Sequence, residues 1–300
     1  ASLNAGKTLG IGNYDSANII HSNGKFYLLV GTSTSNRDHF YIVDAKTLYY
    51  ENSAVVGANL SGLTILNEQY GLVTGDGIRR IDLKSLNNVR IKNERLLCFY
   101  NSIIYNGKVL SNDTYKDESK VKYYDVNELI AAKEGEAPAV TELDIIQKQK
   151  INFVLAKDGN VYTLESADDG CNIVKIKNDF TLEKVFANFQ PAKGPYHSSP
   201  TIGMVASETE NIIYLVSTDG AIFKYILGDS DSLKAPFIAA ESGVSITAPL
   251  QLNQQSGELY VTYTEERKDE SKIVVYSKDG KVLHTIDCGE SVPSQILFNN

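Results

Sequence analysis

Short apolar, strand-like runs cover most of this chain, and polar stretches with Gly, Asn and Asp punctuate them. Such runs, aromatic and β-branched, predict β-strands, whereas the 3.6-residue period of an amphipathic helix is nearly absent. The best helical stretch is Val126–Lys133, which is short and ends in the loop-like segment Glu134–Pro138. The chain is therefore predicted to be all-β.

The strand pattern repeats. Seven segments share a short apolar strand, a turn, and a longer aromatic or β-branched strand. They begin near Asn18 (NIIHSNGKFYLLV), Leu63, Ser102, Ile151 (INFVLAKDGNVYTL), Thr201, Ala248 and Ser294 (SQILFNN), spaced by 39 to 50 residues. A period of about 40–50 residues with several strands per repeat is that of a β-propeller. Third strands follow at His39–Asp44, Ile78–Leu83, Lys120–Asp125, Asn172–Lys177, Ala221–Leu227 and Lys272–Ser277. Fourth strands follow in turn, as at Val185–Asn188 and Val282–Asp287. The dipeptides Asn23-Gly24, Asn106-Gly107, Asp158-Gly159 and Asp279-Gly280 are hairpin signals at the joins.

Four antiparallel strands per repeat make one propeller blade. Six repeats are complete, and the seventh has only an inner strand, Ser294–Phe298, at the C-terminus. Residues 1–14 are expected to complete that blade. The prediction is a single propeller domain over residues 1–300, with seven blades and a depleted closing blade. Six blades plus an extra C-terminal strand is the alternative. The seven inner strands are expected to carry Ile19, Ile65, Ile103, Phe153, Ile202, Leu250 and Ile296.

Composition narrows the function. With 42% hydrophobic and 22% charged residues the chain can bury a full core, which excludes wholesale disorder. A net charge of −8 disfavours a nucleic-acid backbone as partner. No apolar run reaches the roughly 18 residues of a membrane span. Three distant cysteines, Cys98, Cys171 and Cys288, form neither a disulfide framework nor a CxxC metal site. The chain has 18 Tyr and no Trp. Trp-Asp repeat propellers and the Trp-docked blades of quinone-dependent dehydrogenases are therefore disfavoured.

Three segments carry a family resemblance. They are Asp15-Ser-Ala-Asn-Ile-Ile-His-Ser-Asn-Gly-Lys-Phe-Tyr, the blade Asn172-Ile-Val-Lys-Ile…Thr181-Leu-Glu-Lys-Val, and the ending Val292-Pro-Ser-Gln-Ile-Leu-Phe. Together they resemble the YncE-like, DUF5074-type propellers of Bacteroidetes over nearly the whole chain. The resemblance implies seven blades, an outer-membrane surface lipoprotein, and partnership with a TonB-dependent transporter. Characterised relatives include a corrinoid (vitamin B12) capture protein. The lipid anchor belongs to the full-length form and is not present in this chain.

Catalytic signatures are sparse. The four histidines (His21, His39, His197, His284) are scattered, and no HxxxH, HExxH, GxSxG or P-loop occurs. Asp229-Ser-Asp-Ser and Glu265-Glu-Arg-Lys-Asp-Glu read as solvated loops, because the spacing of a calcium loop is not met. No catalytic residue, cofactor or metal ligand is assigned.

Strand parity is more informative. In an up-and-down blade, the second-to-third loop and the fourth-to-next-first loop leave at the same end. That rule collects Gly12–Asp15, Thr32–His39, Leu97–Asn101, Asn112–Ser119, Gln190–Ser199, Ser242–Thr247 and Glu265–Ser271. These loops display Tyr14, Arg37, Tyr100, Tyr115, Tyr196 and His197, the predicted ligand-binding residues. Tyr offers a flat apolar ring with a polar tip, suited to a large planar or sugar-like ligand. Gln190-Pro-Ala-Lys-Gly-Pro-Tyr-His-Ser-Ser-Pro is stiffened by three prolines and presents Tyr196 and His197; the plainer reading of it is a rigid crossing between blades.

The expected function is non-enzymatic, extracytoplasmic capture of a corrinoid, another metal chelate or a glycan, handed to a transporter. A lactonase-like hydrolase is the enzymatic alternative. It would need carboxylates on inner strands, and the predicted inner-strand openings carry none. A protein-interaction scaffold is the third reading.

Overall fold

The computed structural model describes residues 16–31, 37–57, 60, 62–75, 77–92, 102–112, 119–136, 138–147, 152–168, 170–190, 203–265, 270–290, 293, 296 and 298. The chain is a β-propeller, and its described residues form six blades, each an antiparallel sheet. By contacts it divides into two compact units, Ala1–Asp144 and Ile145–Phe298.

The first unit holds three blades. The first is β1 (Ser16–Ser22), β2 (Lys25–Gly31), β3 (Asp38–Asp44) and β4 (Tyr50–Gly57). The second is β5 (Gly62–Ile65), β6 (Tyr70–Thr74), β7 (Ile78–Asp82) and β8 (Asn88–Lys92). The third is β9 (Ile103–Tyr105), β10 (Lys108–Asn112), β11 (Ser119–Asp125) and β12 (Val140–Gln147), whose last residues pass into the second unit. A short helix, α1 (Val126–Ala131), lies between β11 and β12, within the predicted helical stretch. Its cap is Asp125, whose side chain accepts the N–H groups of Asn127 and Glu128.

In the second unit the fourth blade is β13 (Val154–Leu155), β14 (Val161–Ala167), β15 (Gly170–Ile176) and β16 (Leu182–Phe189). The fifth has only β17 (Met204–Ala206), β18 (Ile212–Val216) and β19 (Ile222–Ile226). A 3-10 turn at Ser230–Leu233 and the stretch after it stand where a fourth strand would run. Ile238 bridges to Ile222, and the Ser232 hydroxyl accepts the Ile226 N–H at 2.9 Å. These contacts blunt the edge of β19 against pairing with another chain.

The sixth blade is β20 (Val244–Ile246), β21 (Gln251–Leu252), β22 (Leu259–Glu265), β23 (Ser271–Tyr276) and β24 (Val282–Gly289). Both β20 and β21 pair with β22, so the inner strand is split in two. Pro249 lies in the gap, where it has no N–H to give a ladder.

Each predicted third strand matches an observed one to within two residues at either end. Ile19, Ile65 and Ile103 lie on the first strands of their blades, while Phe153 and Leu250 immediately precede β13 and β21. Ile202 lies outside the described residues. The blade count differs from the seven predicted and agrees with the alternative of six. In the supposed seventh repeat, Ile296 and Phe298 are described and neither is in a strand. Its expected partner, residues 1–14, lies outside the described residues.

Apolar faces of neighbouring blades within each unit form the core. Phe40, Ile42 and Tyr27 of the first blade pack with Val73, Ile81 and Leu83 of the second. Strand β18 is buried on both faces: Ile213 and Leu215 pack toward the fourth blade, and Ile212, Tyr214 and Val216 toward the sixth. Burial on both faces is why such strands read as unbroken apolar runs. Desolvation in this packing raises the Tyr214 phenol to about 12.

One turn occurs twice. In Asp44-Ala-Lys-Thr-Leu48 the Asp44 carboxylate accepts the Thr47 N–H and hydroxyl, both at 2.6 Å, and the Lys46 N–H. In Asp82-Leu-Lys-Ser-Leu86, Asp82 does the same with Ser85 and Lys84. Leu48 and Leu86 take φ of 60° and 58° to close the turns. The Thr47 hydroxyl bond lowers the Asp44 pKa, and the Ser85 N–H bond lowers that of Asp82. A depressed carboxylate stabilises the fold above its unfolded pKa, and that contribution fades as pH falls through the folded value.

Arg80 ties the second blade to α1. Its guanidinium donates to the carbonyl oxygens of Ile130, Ala132 (2.9 Å) and Leu129 (3.4 Å) at the end of the helix. It also lies 5.3 Å from the Tyr70 ring centroid. Arg80→Ala is expected to lower stability by about 1–3 kcal/mol in urea unfolding, with Arg80→Lys costing less, because three carbonyls lose a charged donor. Equal midpoints for Arg80→Ala and the parent would refute this tie.

Candidate functional site at the loop ends of the blades

Antiparallel order fixes which loops share an end of each blade. The β2–β3, β10–β11 and β22–β23 loops join second to third strands, as the parity rule expects. The 97–101 and 190–199 segments fall between β8 and β9 and between β16 and β17, also as expected. Ser242–Thr247 does not behave as a loop. Residues 244–246 form β20, paired with Tyr263, Thr264 and Glu265, because alternate residues there find ladder partners on β22.

Of the six predicted ligand residues, Arg37 is described. It is exposed and directly precedes β3. Tyr14, Tyr100, Tyr115, Tyr196 and His197 lie outside the described residues.

The support beneath Arg37 is rigid. Asp38 is 2% exposed, and its Oδ2 accepts the Leu60 N–H at 2.5 Å, tying the start of β3 to the crossover into the second blade. A buried carboxylate that holds a backbone N–H fixes the neighbouring backbone firmly. Asp38 also pairs in register with Gly57, the last residue of β4.

Across from Gly57 stands the second blade, which brings two arginines together at this end. Arg79 and Arg90 are directly opposed on β7 and β8. Arg79 also opposes Val73, a member of the core shared with the first blade, so both arginines lie on that face. Both are half-buried. A side chain at Gly57 would place its Cβ 3.0 Å from Arg79 Nε. At Gly77, φ is +141°, and a Cβ would meet Lys92 O at 2.3 Å and Arg90 Nε at 3.1 Å. Both glycines leave room for a guanidinium, and Gly77 admits no other residue without a backbone shift.

The opposite face of this end, toward the third blade, is lined by hydroxyls. Thr64 and Ser102 share a short hydrogen bond between β5 and the residue before β9. Thr74 and Ser111 are buried at the ends of β6 and β10. In the second unit, Gln147 donates to the Thr163 hydroxyl (3.0 Å) and the Leu164 carbonyl (2.9 Å). Thr163 donates to the Asn152 carbonyl, and the Asn152 amide donates to the Met204 carbonyl at 2.6 Å. These hydrogen bonds hold neighbouring strands in one register, while Thr74 Oγ1 and Asn152 Oδ1 are buried with no hydrogen-bond partner among the described residues.

Sequence reasoning missed Asp38, Arg79 and Arg90. Their signal was faint: Gly75-Asp-Gly77 followed by Ile-Arg-Arg reads as a plain hairpin. Only the register shows that Arg79 and Arg90 meet.

Among the described residues no helix is long and apolar enough to cross a membrane. No curated protein matches the chain. Among solved structures, the chain is 99% identical to a quinonprotein alcohol dehydrogenase-like protein from Bacteroides thetaiotaomicron VPI-5482, with a TM-score of 0.94. That match covers 100% of this chain and 72% of the other. A functionally unknown protein from Desulfotomaculum acetoxidans DSM 771 shares the fold at 11% identity and TM-score 0.58, covering 94% and 88% of the two chains. A catalytically inactive virginiamycin B lyase from Staphylococcus aureus, solved with quinupristin, does so at 13% identity and TM-score 0.54, covering 94% and 87%. The profile of a domain of unknown function, DUF5074, matches residues 1–299, so the chain belongs to the DUF5074 family.

Proposed function

We propose that this chain is a non-enzymatic, extracytoplasmic ligand-capture propeller. In its full-length form it is a lipid-anchored accessory of a TonB-dependent outer-membrane transporter. The ligand is a corrinoid, another metal chelate or a glycan. Membership of DUF5074 and near-identity to a Bacteroides protein support the setting. The carrying observation is at the loop ends of the blades, where exposed Arg37 stands on the locked Asp38–Leu60 crossover. Functional side chains on loops held by a rigid scaffold are the usual construction of a ligand site. Tyr14, Tyr100 and Tyr115 are assigned to ligand contact alongside Arg37 in the first unit, and Tyr196 and His197 in the second.

A melting-temperature panel of cobalamin, haem, a siderophore and oligosaccharides tests the reading, because a ligand that binds only the native state raises the midpoint. With the responding ligand, Tyr196→Ala is expected to weaken binding by about 1–3 kcal/mol while leaving stability nearly unchanged. No response across the panel, or a Tyr196→Ala protein that melts early yet binds normally, would contradict it.

A further inference from the structure

We infer that the turn between β3 and β4 is a carbohydrate-binding site, where Tyr49 and Tyr50 stack against the ring of a neutral pyranose sugar. The site is separate from the proposed capture site and does not rest on that reading. The β3–β4 turn leaves the first blade at the end opposite the β2–β3 loop that carries Arg37. Tyr49 is 77% exposed there and Tyr50 51%, two consecutive aromatic side chains in water. Tyr50 and exposed Val55 lie along one face of β4, opposing Val43 and His39 in register, so the apolar surface is not a single scattered residue. The fold does not require tyrosine at either position, because the second blade builds the same turn without it. The Asp44 N–H donates to the Tyr49 carbonyl at 2.9 Å, and the Asp82 N–H donates to the Asn87 carbonyl at 2.9 Å. Tyr50 opposes Val43, and Asn88 opposes Ile81. Asn87 and Asn88 thus occupy the places of Tyr49 and Tyr50.

The chemistry of the turn suits a sugar. A tyrosine presents an apolar ring face beside a polar tip, and a glucose-type ring presents C–H faces edged by equatorial hydroxyls. The Tyr50 and Ser53 hydroxyls share a hydrogen bond at 3.0 Å, which holds the Tyr50 ring along β4 with about half of its surface open. The backbone is already fixed, since the Asp44 carboxylate accepts the Lys46 and Thr47 N–H groups and the Thr47 hydroxyl. Stacking on Tyr49 therefore orders little more of the chain. The charges about the turn balance: Lys25 is paired with Glu51 at 2.6 Å, and Lys46 stands two residues from Asp44. An ion gains no net attraction from such a balance, which favours an uncharged ligand.

Proton–carbon NMR of the full chain, with its 18 tyrosine rings labelled, tests the site. The probes are maltose, cellobiose and lactose, with sorbitol as an open-chain polyol that has no ring face. The Tyr49 and Tyr50 signals are identified by their loss in Tyr49→Asn and Tyr50→Asn. Both substitutions copy the second blade's turn, so these variants should fold and melt close to the parent. At least one disaccharide should shift the two signals saturably, and sorbitol should not. Tyr49→Asn should weaken the response of the Tyr50 signal about fivefold or more, as loss of an aromatic anchor does, whereas Tyr49→Phe keeps the ring and most of the response. Shifts confined to other tyrosines, no response to any disaccharide, or an equal response to sorbitol overturns the site. A response of the two signals to phenol and to none of the sugars overturns the sugar assignment. Asparagine variants that melt well below the parent show that the tyrosines serve the fold, and overturn it too. The two readings fail separately. Tyr196→Ala should leave the Tyr49 and Tyr50 response unchanged, and a silent Tyr49–Tyr50 pair leaves capture standing.

Discussion

Replacing Phe40 by Ala is expected to lower the unfolding free energy by about 3–5 kcal/mol, the range for deleting a buried aromatic ring. Phe40 is fully buried, lies 6.1 Å from the Tyr27 ring in a stacked pair, and sits in the cluster that joins the first two blades. Removing the ring takes away apolar burial and leaves a cavity walled by residues of β2, β5, β6 and β7, which are fixed by their own ladders and collapse little. Phe40→Leu keeps most of the volume and should cost less than about 1.5 kcal/mol. Urea denaturation monitored by circular dichroism checks both. A small loss for the alanine variant would mean that the first two blades do not share this core.

Asp38→Ala should cost about 2–3 kcal/mol, because it leaves the Leu60 N–H without its acceptor at a buried position. Asp38→Asn keeps a side-chain oxygen in place and should recover at least half of that loss. The prediction separates two roles for the residue. A structural lock is rescued by Asn, whereas a residue needed only for its negative charge is not. Hydrogen exchange at the Leu60 amide gives an independent reading: it should accelerate in the alanine variant and stay slow in the asparagine one.

The strands were legible in the sequence because the information they need is local. The strand-like runs of β1 and β2, on either side of the Asn23-Gly24 turn, fix the first hairpin within one short stretch of chain. Asn23 and Gly24 both take positive φ, 50° and 69°, as such a turn requires. The helix at Val126–Ala131 was equally visible, since Asp125 stands just before its apolar positions as a cap. The fourth strand of the fifth blade was not visible as missing, because Pro236-Phe-Ile238 is apolar enough to pass for one. What decides against a full strand there is the 3-10 turn at Ser230–Leu233, which leaves only Ile238 to bridge β19.

The candidate site was legible only as a set of loops. Parity along an up-and-down sheet assigns loops to an end without any coordinates; of the residues it selects, Arg37 is described, exposed and directly before β3. It was silent on the residues inside the sheets. Asp38 meets an N–H that lies 22 positions away in sequence. Arg79 and Arg90 face one another only because β7 and β8 pair in one register, with a bulge between Ile78 and Arg79. A shift of one residue would turn each arginine to the other face of its sheet.

By itself, then, the sequence determined an all-β chain of repeated four-stranded units, most of their strand limits, the short helix and the ends at which the loops emerge, because strand-like runs and turn chemistry act over a few neighbouring residues. The tertiary structure alone decided that the described strands make six blades, that the fifth lacks a full outer strand, that Asp38 is buried against Leu60, and that two arginines share one face at the loop end of the second blade. Those features depend on contacts between residues far apart in the chain, whose register is set by packing on both faces of each sheet.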